Sequence, residues 1–284
     1  MATHTDKPQD AGSGPLARHG FTAVITILGA LLLVLVHRSV YAYLQVGDSY
    51  TIDLASLHVA DRPEWAGDAL VGEFRTSGPL TGKMSIFDPD VVRRVTEHYQ
   101  ANPWVARVLS VEKEFPNSLR VKVEMRKPAV AVEVRGRYIL VDRERIRIPG
   151  EYAQVPRFSF PVAKVLGVRS AAPEPGKVWD DAMVDAGVSV GCALADNRID
   201  RQMTVTGIDV SRVGRGGRES EIVILAEDGV AIEWGRAPAA GKHGELPVDE
   251  KILNLKGVLM SQPRLKGVAR VKVQFDDPVV ITRR

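Results

Sequence analysis

The sequence predicts an α+β fold that follows a single N-terminal transmembrane helix. An uncharged apolar run occupies residues 21–36, apolar and charged residues alternate over residues 119–126, and two segments with helical spacing lie among later strand patterns. The hydrophobic fraction of 45% and the charged fraction of 26% are ordinary for a folded protein. Most of the 284 residues are therefore expected in one or two globular domains after the apolar run.

The apolar run, FTAVITILGALLLVLV, is shorter than the roughly 20 residues that a bilayer core requires. The next residues, HRSVYAYLQV, complete a helix over residues 20–44, in which Arg38 can extend to the headgroups and Tyr41 and Tyr43 suit the interface. The alternative is a cleaved signal peptide, which has an apolar run of roughly 7–15 residues before a small-residue cleavage site. The segment SVYAYLQ is a poor cleavage site, so the sequence favours a permanent anchor.

The charges around the anchor predict its orientation. Lys7 and Arg18 precede the apolar run and Arg38 follows it, and this small excess of positive charge on the N-terminal side favours a cytoplasmic N-terminus. Residues 1–19 contain Gly, Ser, Pro and Asp and are expected to form a disordered cytoplasmic tail. The folded part after the anchor is therefore expected outside the cytoplasm.

The first globular segment, residues 50–128, predicts the element order β-α-α-β-β. A strand is expected over residues 52–59, and a helix is expected to begin near Pro63. The apolar face of that helix would contain Trp65, Ala69, Leu70 and Phe74. A second helix is expected to begin at residues 88–89, where an aspartate cap precedes a proline, and to end at residues 102–103. Its apolar stripe would contain Val91, Val92, Val95 and Tyr99.

A hairpin completes this first segment. Leu109, Val111 and Phe115 are expected on one strand face, the residues PNS form a tight turn, and LRVKVEMR then alternates apolar and charged positions. The pattern indicates a hairpin with one wet face, and the two helices can cover only the other face of a three-stranded sheet. Trp104 is interpreted as a core anchor, with a partner contact as the alternative.

Residues 129–284 predict a strand-rich domain with two helices. AVAVEV, RYILVD and RIRI are expected strands, with a turn at residues 135–136. A helix over residues 179–195 precedes the strands MTVTGIDV, EIVILA and VAIEWG. Pro247 opens the second helix, and VARVKVQF and VVITRR form a closing hairpin.

No group of residues in the sequence indicates catalysis. The carboxylate pairs at residues 180–181 and 276–277 are expected at a helix start and a turn. Cys192 is the only cysteine and is expected to be a buried small hydrophobic residue. The histidines lack metal-binding spacing, and no phosphate loop, dinucleotide motif or nucleic-acid stripe occurs. We therefore expect no enzymatic activity, cofactor, metal, nucleic acid or small-molecule substrate.

Several rare features occur in an order that resembles one protein family. NPWV at residues 102–105 is followed by VLSVEKEFPNSLRVKVEMRKPAVAV and by YILVD at residues 138–142, and EDGVAIEWGRAP and VKVQFDDPVVI come later. Over residues 50–284 the chain resembles the FtsQ/DivIB cell-division proteins. It departs from their pattern at Phe115, where tryptophan is usual before the proline, and at VQFDD, which replaces the usual Asp-Leu-Arg-Tyr.

The resemblance implies a single-pass bacterial inner-membrane protein with a POTRA module over residues 50–128 and an FtsQ-type β-domain over residues 129–284. It implies a non-catalytic divisome scaffold that binds FtsB/FtsL-like proteins and helps control septal peptidoglycan synthesis. It also places Arg126 and Pro128 at a junction that contacts other division proteins. From the residues alone, Arg126 and Lys127 form either a solvated face or a binding patch.

The final strand is the main predicted binding site. Val279, Val280 and Ile281 are apolar and β-branched, and at a sheet edge their backbone groups would be open to strand addition by a partner. The alternative is a strand tucked beside an interior neighbour. The resemblance implies that this region pairs with FtsB, and Arg283 would suit an acidic partner.

Two other function classes remain open from the sequence. One is a POTRA-containing export or assembly factor, although no series of amphipathic strands fits a membrane barrel. The other is a membrane-tethered hydrolase with an unrecognised site, which a pocket with convergent ionisable groups would favour.

Overall fold

The structure is a computed structural model that describes residues 15–46, 48–60, 63–66, 70, 72–74, 80–216, 219–236 and 245–283. Most of the predicted tail over residues 1–19 lies outside these ranges, and residues 15–19 belong to the first helix. Ala69 and Arg284, which were predicted on a helix face and at the end of the last strand, also lie outside them.

The elements are numbered in chain order. The helices with defined bounds are α1 (Pro15–Val46), α2 (Val91–Ala101), α3 (Ala182–Asp196) and α4 (Val248–Ser261). The strands are β1 (Thr51–Asp53), β2 (His58–Ala60), β3 (Lys83–Ser85), β4 (Val105–Glu114), β5 (Ser118–Met125), β6 (Val130–Val134), β7 (Arg137–Val141), β8 (Ala163–Leu166), β9 (Val205–Asp209), β10 (Ile222–Ala226), β11 (Ala231–Gly235), β12 (Val268–Lys272) and β13 (Val279–Thr282).

The chain divides into two compact units. The first contains the described residues up to Leu57 together with Thr81–Val92 and Lys113–Leu119. Its helix α1 includes an apolar stretch of 21 residues, Ala23–Tyr43, which is long and apolar enough to cross a membrane. At 1.5 Å per residue this stretch is about 31 Å long, close to the hydrocarbon thickness of about 30 Å. In the same unit β1 and β3 pair antiparallel, with Thr51 opposite Ser85.

The second unit contains an eight-stranded sheet and most of a smaller sheet, whose residues Lys113–Leu119 belong to the first unit. The smaller has the strand order β2-β5-β4, with β2 parallel to β5. The alternating apolar residues of β5, which are Leu119, Val121, Val123 and Met125, are buried as the sequence predicts. Trp104 is only 1% exposed, which confirms its interpretation as a core anchor.

The larger sheet has eight strands in the order β13-β12-β11-β10-β9-β8-β6-β7. One row of paired residues runs across all eight strands and lies on the face that forms the main core: Ile139, Val132, Val165, Ile208, Ile224, Ile232, Val271 and Val280. The buried side chains of α3 and α4 belong to the same core, so both helices pack on this face.

Two glycines allow α3 to lie close to the sheet. A Cβ atom at Gly187 would lie 2.6 Å from Val165 Cγ1, and one at Gly191 would lie 2.5 Å from Val130 Cγ1. Both distances are far below van der Waals contact, so any larger residue would force the helix away from the strands.

Most predicted elements are confirmed, including α2, the β4–β5 hairpin, α3, α4 and the closing β12–β13 hairpin. The predicted strand over residues 52–59 is wrong, because Asp53 interrupts it. The Asp53 side chain accepts a hydrogen bond of 3.0 Å from the Ala55 N–H and turns the chain into a short 3₁₀ segment between β1 and β2.

Three further differences concern local elements. Pro63 does not begin a helix, because the Ala66 N–H bonds the Pro63 carbonyl in a turn that contains Trp65. Residues 70 and 72–74 are helical, and the side chains of Leu70 and Phe74 are buried, as expected for the apolar face of the predicted helix. RIRI forms single bridges rather than a strand, and β3 and β8 were not predicted. β8 pairs in parallel with β6 and β9, and its four residues alone contain no pattern that predicts this pairing.

Candidate partner-binding edge

Strand β13 forms one edge of the eight-stranded sheet. It pairs antiparallel with β12, where Val279 lies opposite Lys272 and Ile281 lies opposite Arg270. In the part of the chain that the structure describes, no strand pairs with its other side. The last strand therefore occupies the kind of position that the strand-addition hypothesis requires.

Helix α4 fixes the turn that leads into β13. The Asn254 Nδ2 atom donates hydrogen bonds to the carbonyls of Val273 at 3.2 Å and Phe275 at 2.8 Å. These bonds satisfy backbone acceptors at the end of β12 and hold the turn over residues 274–277. The acidic pair at residues 276–277 lies in this turn, as the sequence predicts.

The side chains of β13 alternate between the core and the open face. Val280 packs against the main core, whereas the side chains of Val279 and Ile281 are 48% and 44% exposed. Two β-branched apolar residues therefore stand side by side on the open face at the edge of the sheet. Such a pair can pack against the side chains of an added strand.

The backbone of β13 also alternates in direction. The Arg283 N–H donates a 2.8 Å hydrogen bond to the Gly267 carbonyl, so this end of the strand faces β12. Backbone groups of successive residues in an antiparallel strand point to opposite sides, so those of Ile281 and Val279 also face β12. Those of Val280 and Thr282 point away from the sheet, and these are the groups that an added strand would bond.

Charged side chains lie beside the exposed apolar pair on the open face. Glu233 of β11 contacts Arg270 Nη1 at 3.0 Å and Lys272 Nζ at 3.4 Å, and its own side chain is mostly buried. The Arg283 guanidinium donates a hydrogen bond to the backbone carbonyl of Asp228. Because that carbonyl is neutral, the bond does not neutralise the charge of Arg283. Arg270, Lys272 and Arg283 thus outnumber Glu233 beside the apolar pair, whereas Asp276 and Asp277 carry negative charge in the turn before β13.

Glu233, Arg270 and Lys272 were not predicted from the sequence to belong to this site. All three occupy alternate positions of strands that were predicted, so the strand pattern itself was available. They meet only because β11 and β12 are parallel neighbours, with Glu233 opposite Lys272. That pairing depends on the crossover through α4 and has no local sequence signal.

The second predicted binding region is occupied by internal contacts. Arg126 Nη1 lies 2.9 Å from Asp142 Oδ2, and the two side chains are 13% and 9% exposed. Pro128 is buried. Lys127 is exposed, and its Nζ lies 4.2 Å from the centroid of the Phe160 ring. Of these residues, Lys127 presents the most accessible surface to a partner.

The two predicted regions do not form one site. Pro128 lies two residues before the start of β6, which is separated from β13 by five other strands. At about 4.8 Å per strand, the junction and the edge are roughly 30 Å apart. A partner at one region would therefore not contact the other unless it were extended.

The candidate acid–base residues have structural surroundings. Asp181 Oδ1 accepts hydrogen bonds from the N–H groups of Met183 and Val184, which makes it the N-cap of α3 as predicted. Cys192 is half-buried, and burial raises the pKa of its thiol. Among the described residues, no group of three or more His, Cys, Asp and Glu side chains is placed to hold a metal ion.

Comparison with known proteins does not assign a family. No model of a known protein family matches the chain, and a search of curated proteins finds no significant relative.

Proposed function

We propose that the protein is a membrane-anchored, non-catalytic scaffold of the bacterial cell-division machinery, and that it binds a partner by strand addition at β13. The single observation that carries the proposal is the position of β13 at a sheet edge, with the backbone of Val280 and Thr282 directed outward. Main-chain hydrogen bonds would supply affinity, and the exposed side chains of Val279 and Ile281 would supply specificity.

The anchor completes this proposal. Helix α1 holds the protein in the inner membrane as a single pass, with the N-terminus in the cytoplasm and the remaining domains in the periplasm. Lys7 and Arg18 support this orientation because positive residues favour the cytoplasmic side. The length of the apolar stretch Ala23–Tyr43 supports the spanning role.

The cell-division role comes from the resemblance to the FtsQ/DivIB family. In this proposal the three-stranded sheet with α2 is the POTRA module, and the eight-stranded sheet with α3 and α4 is the FtsQ-type β-domain. In the three-stranded sheet β5 lies between β2, to which it is parallel, and β4, with which it forms the hairpin. This arrangement is consistent with the expected β-α-α-β-β order. The partner at β13 is an FtsB/FtsL-like division protein, and the complex helps control septal peptidoglycan synthesis.

The proposed test removes one outward donor without disturbing the internal sheet. Thr282→Pro deletes an N–H that points away from β12, and proline is tolerated on edge strands in that position. Ile281→Pro is less suitable because the Ile281 N–H faces β12. Thr282→Val is the matched control, since it keeps the backbone donor and the β-branched shape.

We expect Thr282→Pro to reduce co-purification of FtsB/FtsL-like proteins with the full-length chain at least about tenfold, since several main-chain bonds are lost together. Thr282→Val should retain binding. Equal recovery of these partners with both variants would refute strand addition at β13.

A further inference from the structure

We infer that the turn of the β4–β5 hairpin, which carries Phe115, inserts into the headgroup region of the membrane beside α1. This inference rests on the proposed role of α1 as a membrane anchor. The inference is based on a cluster of four aromatic residues in the first compact unit, which are Tyr41, Tyr50, Phe87 and Phe115.

The connection begins inside the apolar stretch of α1. Tyr41 belongs to Ala23–Tyr43, and its hydroxyl donates a 2.6 Å hydrogen bond to the Phe87 carbonyl. The rings of Tyr41 and Phe87 also contact each other, with centroids 6.2 Å apart. A residue within the candidate membrane span is therefore bonded directly to the turn that follows β3 in the same compact unit. The end of the span and Phe87 must consequently lie at similar depth.

Phe87 is held firmly in this position. Tyr50 packs against its ring with centroids 5.2 Å apart, and the Ile86 N–H bonds the Tyr50 carbonyl at 2.9 Å. The Ser85 hydroxyl oxygen accepts a 3.3 Å hydrogen bond from the Phe87 N–H. These contacts fix the turn after β3 at the end of α1, so its position does not depend on a flexible linker.

Phe115 extends this cluster to the hairpin turn. Its ring centroid lies 5.8 Å from that of Phe87, so one ring separates it from Tyr41. Lys113, at the base of the turn, donates a 3.2 Å hydrogen bond from Nζ to the Asp88 carbonyl and joins the hairpin to the same turn. The hairpin tip is therefore held beside the end of the membrane span.

The exposure of Phe115 identifies lipid as the occupant. Its side chain is 64% exposed, although β5 of the same hairpin buries its apolar residues. An exposed aromatic ring costs free energy in water but is favoured at the boundary of headgroups and acyl chains, where aromatic residues are enriched. Tyr43, which is 80% exposed, lies at the end of the apolar stretch and would therefore lie at the same membrane depth as Phe115. The pair would form an aromatic belt on the periplasmic side.

Depth-dependent fluorescence quenching in nanodiscs tests this inference on the full-length chain. Cys192→Ala removes the only cysteine, and a polarity-sensitive fluorophore is then attached at Phe115→Cys, Leu28→Cys or Met260→Cys in separate variants. Leu28 lies within the apolar stretch, and Met260 is an 82% exposed apolar residue of α4 that serves as the control. Each variant is compared in nanodiscs of plain lipid, of lipid brominated near the headgroup and of lipid brominated deep in the acyl chain.

Because interfacial groups lie about 5–10 Å into the headgroup and acyl boundary, we expect brominated lipid to lower the fluorescence at Phe115→Cys about twofold more than at Met260→Cys. Quenching at Leu28→Cys but no greater quenching at Phe115→Cys than at Met260→Cys would overturn the inference and leave the anchor intact. Absence of quenching at Leu28→Cys when lipid brominated deep in the acyl chain is used would refute the anchor, and with it the inference.

Discussion

The guanidinium of Arg126 and the carboxylate of Asp142 form a largely buried ion pair, with Nη1 2.9 Å from Oδ2. Arg126 follows β5 of the three-stranded sheet, and Asp142 follows β7 at one edge of the eight-stranded sheet. The Arg126 N–H also bonds the Trp104 carbonyl at 2.8 Å, and Asp142 Oδ1 accepts from the N–H groups of Glu144 and Ile146. The pair therefore connects the two sheets and satisfies the turn after β7.

The first prediction concerns the stability that depends on this pair. Asp142→Asn should lower the free energy of unfolding by about 3 kcal/mol, because it leaves a buried guanidinium with only the exposed Glu144 carboxylate, 3.7 Å from Nη1, as counter-charge. Arg107→Met is the matched control, since it removes an exposed pair with Glu124 and should change stability by less than about 1 kcal/mol. Urea unfolding of the detergent-solubilised chain measures both. Equal effects of the two substitutions would show that the Arg126 pair is not effectively buried.

The second prediction concerns the close approach of α3 to the sheet. Gly191→Ala should lower the free energy of unfolding by about 1–3 kcal/mol, because the new methyl group would lie 2.5 Å from Val130 Cγ1. Gly257→Ala in α4 is the control, since nothing lies within 4 Å of its Cβ position and helix propensity should raise stability by roughly 1 kcal/mol.

A double variant makes this second test more specific. Val130→Ala removes the methyl group that the new Cβ would meet, so Gly191→Ala should cost less in that background than alone. Thermal unfolding of the four proteins in the cycle gives the coupling. Additive effects would contradict the contact between Gly191 and Val130.

The third prediction separates the two interpretations of Trp104. Because this side chain is 1% exposed, Trp104→Ala should lower the free energy of unfolding by about 3–5 kcal/mol. Phe115→Ala removes an aromatic ring that is 64% exposed, and it should have a much smaller effect on unfolding in detergent. A stable Trp104→Ala protein that had lost only partner binding would instead support the contact role.

The fourth prediction concerns alkaline pH. Burial and the nearby Glu73 carboxylate raise the pKa of Tyr152, whose hydroxyl lies 3.2 Å from Glu73 Oε2. Above the ordinary tyrosine pKa of about 10, the unfolded chain loses this proton while the folded chain keeps it. Stability should therefore fall as pH rises above this value, and Tyr152→Phe should reduce the fall. The slope of unfolding free energy against pH measures the difference, and identical slopes would exclude a role for Tyr152.

Elements that are specified by neighbouring residues could be predicted from the sequence, and elements that depend on distant strands could not. Period-two alternation in β5 and the aspartate–proline start of α2 specify their elements through neighbouring residues, so both were predicted. β8 was missed because its stability comes from parallel strands distant in sequence. The strand over residues 52–59 was predicted as continuous because strand propensity does not register the side-chain hydrogen bond of Asp53.

For the candidate site, the sequence predicted the strand but not its position in the sheet. The apolar, β-branched pattern of residues 279–281 indicated a strand, but whether it was an edge depends on the full strand order. The ion pair of Arg126 could not be inferred, because Asp142 becomes its neighbour only after β7 has returned beside β6. The sequence therefore identified the residue and left the direction of its side chain undetermined.

The most direct test of the central claim is photo-crosslinking in growing cells from a photoreactive residue at Thr282, compared with one at Leu253. Leu253 lies on α4, and its side chain is 65% exposed. It is therefore an accessible control on a different element from β13. We predict that Thr282 captures an FtsB/FtsL-like division protein and that Leu253 does not, with capture abolished when Val280 is also replaced by proline. No captured division protein at Thr282, or the same capture from both positions, would contradict strand addition at this edge.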